Sequence, residues 1–159
     1  MQAIPARVIL QWALEIERNG KSFYEAAADK ATDREVRTLF ADLAHQEDRH
    51  YRTFERMLLK ASDAPDAEET SDYYSFLQNA LADALLGPNK GLDRARQAGN
   101  ENEALRAAMA FEKDTLVFFF DLMDAVTPEQ TAAVRAIIDE ERDHLKQLSR
   151  VLQSGPWVI

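Results

Sequence analysis

One arrangement occurs twice in this chain and constrains its fold more than any other feature. A glutamate interrupts an apolar helical stripe, and about thirty residues later a Glu-x-x-His run interrupts a second one. Glu17 precedes Glu47 by 30 residues and Glu112 precedes Glu141 by 29, with His50 and His144 closing the two runs. Residues three apart share a helix face, so each run presents a carboxylate and an imidazole in one direction. A unit of two helices, repeated, is the simplest chain that carries this pattern.

The surrounding periodicity supports four long helices. The first runs from about Pro5 to Lys30 with Leu10, Ala13, Gly20, Tyr24 and Ala27 on its stripe. A second opens at Thr32, with Glu35 completing a capping box, and carries Val36, Phe40, Leu43, Phe54 and Met57 to about Ala61. The third caps at Asn100 and shows Leu105, Met109, Leu116, Phe119 and Met123. Thr127-Pro128-Glu129-Gln130 starts the fourth, which carries Val134, Ile137, Leu148 and Val151. Between them, 62–99 reads as a long crossover holding a short amphipathic helix, Tyr73 to Leu86, stopped by Gly87-Pro88-Asn89. Two short connections flanking one long one define an all-α four-helix bundle, here a single domain over residues 1–159.

Composition narrows the function. With 19 Lys and Arg against 28 Asp and Glu, the net charge is -9, so a nucleic-acid partner is not expected. No stretch reads as a secretory signal or membrane span, which points to the cytoplasm. There is no cysteine, so a metal must be held by oxygen and nitrogen.

Glu17, Glu47, His50, Glu112, Glu141 and His144 all occupy slots where the period calls for an apolar side chain. Four unpaired carboxylates in a dry bundle would have to take up protons or find positive charge. Two divalent cations balance four glutamates, and each imidazole adds a neutral ligand. The expectation is a di-metal carboxylate site, with Glu17 and Glu112 bridging and each Glu-x-x-His pair gripping one ion. Tyr24, two turns beyond Glu17 on the same face, can bond a ligand carboxylate. His45 is expected to be exposed or hydrogen-bonded, and Glu15, Asp48, Asp139, Glu140 and Asp143 to point off the axis as a solvated face. The run Phe118-Phe119-Phe120 reads as packing.

With those residues placed, the chain resembles the rubrerythrin branch of the ferritin-like superfamily. The likeness is carried by Ala13-Leu-Glu-Ile-Glu-Arg-Asn-Gly-Lys-Ser-Phe-Tyr24, Phe40-Ala-Asp-Leu-Ala-His-Gln-Glu-Asp-Arg-His50, Ala110-Phe-Glu-Lys-Asp-Thr-Leu-Val-Phe-Phe119 and Ile138-Asp-Glu-Glu-Arg-Asp-His144. It spans about residues 5 to 152. The resemblance implies a ferritin-like bundle with a pair of irons on the six residues above, oxidised by hydrogen peroxide or dioxygen. It also implies an external electron donor, since the rubredoxin-type domain of rubrerythrins proper is missing. Two positions depart from the family. Thr115 stands where rubrerythrins proper carry an extra glutamate, and Phe119 stands where the second tyrosine belongs.

The leading expectation is therefore a di-iron oxidoreductase of peroxidase or ferroxidase type. Manganese or zinc also suits these ligands. Alternatives are a ferroxidase feeding an iron store, and a metal-free structural or regulatory module. Aromatics such as Trp12, Phe118 and Trp157 argue for a homodimer.

Overall fold

The computed structural model describes residues 6–61, 79–80, 85–123 and 126–155. Five helices are described: α1 (Ala6–Lys30), α2 (Arg34–Lys60), α3 (Lys90–Gln97), α4 (Glu101–Met123) and α5 (Pro128–Ser154). No strand occurs among the described residues. Helices α1 and α2 form one hairpin and α4 and α5 the other, and the two pack as a four-helix bundle.

Cap chemistry sets the helix starts. The carboxylate of Asp33 accepts the Val36 N–H at 3.1 Å, so Asp33, not Thr32, caps α2. Thr32 is committed elsewhere. Its N–H and hydroxyl donate to Glu101 Oε1 at 2.8 and 3.2 Å, tying the α1–α2 turn to the first residue of α4. The expected cap at Asn100 is present, its side chain accepting the Glu103 N–H at 2.9 Å. Pro128 begins α5, and Gln130 Oε1 accepts the Thr127 N–H at 3.3 Å, as the capping-box reading requires.

The crossover departs from expectation. Residues 73–78 and 81–84 of the anticipated helix lie outside the described residues, while Leu85 and Leu86 are not helical. Gly87-Pro88-Asn89 does not simply stop a helix: it leads into α3, which begins at Lys90. Asn19 of α1 organises this segment. Its amide donates to the Leu85 and Gly87 carbonyls, both at 3.0 Å, and its oxygen accepts the Gly91 N–H at 3.3 Å. Glu15 accepts the Gly87 N–H at 3.0 Å, so it is a docking residue, not merely part of a solvated face. Gly91 permits the close approach, because a Cβ there would stand 1.9 Å from the Asn19 carbonyl oxygen. At the far end of α3, Lys30 donates to the carbonyls of Ala95 and Ala98 at 3.1 and 2.6 Å, where a cation suits a helix C-terminus.

The buried face of α4 is rotated from the expected stripe. Leu105 and Phe119 are buried as anticipated, but Met109, Leu116 and Met123 are only partly so, and Ala108, Phe111, Thr115, Phe118 and Leu122 fill the interior. The apolar core is divided in two. One cluster gathers Tyr24, Phe40, Leu43, Leu105 and Leu148; the other gathers Leu10, Phe54, Phe111, Phe119 and Ile138. The repeated glutamates and histidines come between them along each long helix. Trp12 and Phe118 are buried within the chain and so do not require a partner's cover, and Trp157 lies outside the described residues. Phe120 is exposed and sits against Arg142, whose guanidinium is 5.3 Å from the ring centre.

Candidate metal centre

Glu17, Glu47, His50, Glu112, Glu141 and His144 meet at the centre of the bundle, none more than 3 % exposed. They fall into two ligand groups. The first joins Glu17, Glu47, His50 and Glu141; the second joins Glu47, Glu112, Glu141 and His144; within each group the candidate ligand atoms lie within 4.8 Å of one another. Glu47 and Glu141 belong to both groups, whereas Glu17 and Glu112 belong to one each. This reverses the expected roles: the Glu-x-x-His carboxylates are placed to be shared between two ions, and the α1 and α4 glutamates to hold one ion apiece. Glu47 and Glu141 lie close to each other as well as to both histidines, which puts them in both groups.

Both imidazoles aim Nδ1 inward. His50 Nδ1 lies 2.8 Å from Glu141 and 3.4 Å from Glu17; His144 Nδ1 lies 3.1 Å from Glu141, 3.3 Å from Glu112 and 3.4 Å from Glu47. The rings stack with their centres 5.7 Å apart. Space for Glu47 comes from Gly20, where a Cβ would stand 3.2 Å from the carboxylate and 3.1 Å from the Phe111 ring.

Outward, each Nε2 finds a partner from the opposite half of the repeat. His50 Nε2 lies 2.7 Å from Glu140 Oε2, and His144 Nε2 lies 2.7 Å from Gln46 Oε1. Glu140 and Gln46 each immediately precede a Glu-x-x-His glutamate, so the two halves orient each other's histidines. Glu140 thus departs from the solvated face to which its sequence position assigned it. The signal was legible in hindsight as the matched pair Gln46-Glu47 and Glu140-Glu141. Tyr24 behaves as anticipated and donates its hydroxyl to Glu112 of the other hairpin. Of the remaining neighbours, His45, Asp139 and Asp143 are exposed, and Asp48 pairs with Lys21 and Arg52 at 3.1 and 3.0 Å.

The electrostatics of the cluster fit bound cations. Burial lifts the carboxyls of Glu17 and Glu47 above the ordinary carboxylate range, and burial together with Glu141 pushes Glu112 up to about 8. Burial works against ionised imidazoles, yet the surrounding glutamates raise both His50 and His144 above the usual histidine value. Glu141, despite its burial, is held below the usual range by bonds from Glu112 and the two histidines. Four carboxylates buried together call for positive charge beside them. Both oxygens of Glu17 and of Glu141, Oε1 of Glu47, Oε2 of Glu112 and Nδ1 of His50 have no well-aligned hydrogen-bond partner. Close but misaligned contacts, such as that between His50 Nδ1 and Glu141, are the geometry of ligand atoms converging on a common point. An oxygen-rich set with one imidazole per group suits iron, manganese or zinc.

A surface cleft of about 340 Å³, lined by Arg49, His50, Thr53, Arg56, Ile137 and Glu140, reaches the outer edge of His50. Among the described residues no helix is long and apolar enough to cross a membrane.

An α-helical bundle with two carboxylate-and-imidazole groups sharing two glutamates defines a protein of the di-metal carboxylate class. The Rubrerythrin family model matches residues 9–152, and the chain belongs to the rubrerythrin family. Its fold is similar to that of a Thermotoga maritima chain described as a ferritin-like diiron-carboxylate protein, with a TM-score of 0.70 and 25% identity over 97% of this chain and 98% of the other. No curated protein matches the sequence.

Proposed function

We propose that this chain is a di-iron oxidoreductase that reacts with hydrogen peroxide or dioxygen. The observation that carries the reading is the pair of buried ligand groups sharing Glu47 and Glu141, because shared carboxylates hold two ions close enough to act on one small oxidant. Family membership and the diiron description of the structural relative support iron as the metal. When bound, two ferrous ions supply the two electrons that reduce peroxide to water.

The residues of the chain do the rest. Two apolar clusters flank the site and keep bulk water from it. Glu140 and Gln46 fix both rings with Nδ1 inward, since a carboxylate can only accept and so keeps the proton on His50 Nε2. Tyr24 holds Glu112 in place. The cleft beside His50 and Glu140 offers a small oxidant a way to the outer edge of the cluster. Turnover then requires an electron donor to return the ions to the ferrous state, and we assign that role to a group outside these 159 residues. The absence of well-aligned partners around seven buried ligand atoms argues against a metal-free module.

Rapid mixing of the anaerobic diferrous protein with peroxide tests the proposal. Fast formation of a ferric absorbance at two electrons per peroxide is expected; an unchanged spectrum rejects it.

A further inference from the structure

The repeat makes the two ligand groups look equivalent, but their immediate surroundings are not. On the side of Glu17 and His50, the ring nitrogen pointing outward meets an anionic acceptor, Glu140, at 2.7 Å. On the side of Glu112 and His144, the same nitrogen meets a neutral carboxamide, Gln46, at 2.7 Å. A second difference lies in the carboxylates. Glu112 accepts the Tyr24 hydroxyl, while Glu17 has neither oxygen well partnered, and the position matching Tyr24 in the other hairpin is Phe119.

The imidazole difference has a definite direction. An imidazole whose N–H is bonded to a carboxylate is a stronger donor than one bonded to an amide. The Tyr24 hydroxyl orients Glu112, so the carboxylate difference does not by itself rank the two sides. The Glu17 and His50 side therefore gains on the imidazole. Glu47 and Glu141, shared by both groups, do not discriminate between them. Arg49 approaches Glu140 to 3.6 Å, but it is 65% exposed, and water screens that contact more than the part-buried bond to His50.

We propose that the two metal positions are electronically unequal, with the one held by Glu17 and His50 the stronger and the first to fill. This rests on the di-metal reading above. Glu140 and Gln46 are positioning residues that set the inequality through the histidines they touch.

Titration of the chelator-treated full chain with cobalt(II), followed by proton NMR, reads the positions separately. Each ligand imidazole gives its own paramagnetically shifted ring resonances, assigned with the His50→Asn and His144→Asn variants. At one cobalt per chain the His50 resonances should exceed those of His144 by on the order of tenfold. Glu140→Gln and Gln46→Glu should each move the ratio toward one, the first by weakening the strong side and the second by strengthening the weak side. Equal intensities in the unsubstituted protein, the reverse order, or a ratio that neither substitution moves overturns the inequality and leaves the di-metal reading standing. If no shifted resonance appears at any cobalt concentration, both are overturned.

Discussion

His50 of α2 and Glu140 of α5 lie 2.7 Å apart across the two halves of the repeat, and the same crossing joins His144 to Gln46. Each hairpin therefore supplies a Glu-x-x-His pair and also orients the histidine of the other. Neither half can build its ligand group alone, because each group also draws its shared glutamates from both hairpins. The bundle interface and the site are the same structure.

The shared position of Glu47 separates its role from that of Glu17. Glu17→Ala removes a ligand from one group and should leave one ion per chain bound close to the original affinity. Glu47→Ala touches both groups and should weaken both ions by more than about tenfold. Calorimetric titration with manganese or zinc gives the stoichiometries, and identical behaviour of the two variants would return Glu47 to a terminal role.

Gly20 leaves the space that Glu47 occupies. In Gly20→Ala the new methyl presses on the Glu47 carboxylate and the Phe111 ring, from 3.2 and 3.1 Å. Alanine favours a helix by about 1 kcal/mol over glycine, which offsets part of the crowding. Thermal stability should change little while metal affinity falls on the order of tenfold. Affinity retained at full strength would show that Glu47 needs no such space.

Gly91 bears on the fold and not on the site. A Cβ 1.9 Å from the Asn19 carbonyl oxygen cannot be accommodated unless α3 moves off α1. Overpacking of this severity costs about 3 kcal/mol, so Gly91→Ala should lower Tm by roughly 10 °C in a chain of this size. Two ions per chain should still bind below the transition. An unchanged Tm would mean that α3 is not seated on α1 as described.

Stability of the metal-free protein should depend on pH with a definite sign. The folded Glu112 carboxyl titrates at about 8 against 4.5 for an ordinary glutamate, so the folded state holds a proton that the unfolded chain releases. The stability this gives is complete below pH 4.5 and is lost as pH rises toward 8. The lowered Glu141 acts oppositely, removing stability as pH falls below the ordinary glutamate range. Melting of chelator-treated protein should therefore show Tm falling by several degrees from pH 5 to pH 8. Bound divalent ions displace those protons and should abolish or reverse the trend.

How much the sequence disclosed depended on periodicity. The four long helices, the cap at Asn100, the proline start of α5 and the meeting of six polar residues followed from stripes interrupted at fixed spacing. Tyr24 was legible for the same reason, being two turns from Glu17. Other features rest on contacts between elements that are distant in sequence. Asn19 and Gly91 show nothing locally of their 3.3 Å bond, so α3 was read as loop. Thr32 was read as the cap because Glu35 completes a box with it, but its hydroxyl is taken by Glu101, 69 residues away. Helix spacing placed Glu47 and Glu17 on their faces but could not say which belongs to both ligand groups, and the structure gives that place to Glu47. Glu140 was missed because its partner lies 90 residues away.

The most direct measurement is the equilibrium metal content of the protein after anaerobic incubation with ferrous iron and removal of excess. Two ions per chain are predicted for the native sequence, falling to none in a Glu47→Ala, Glu141→Ala double variant that still folds. Iron well below one ion per chain, or a content that the double variant leaves unchanged, would contradict the claim that these buried side chains exist to hold two cations.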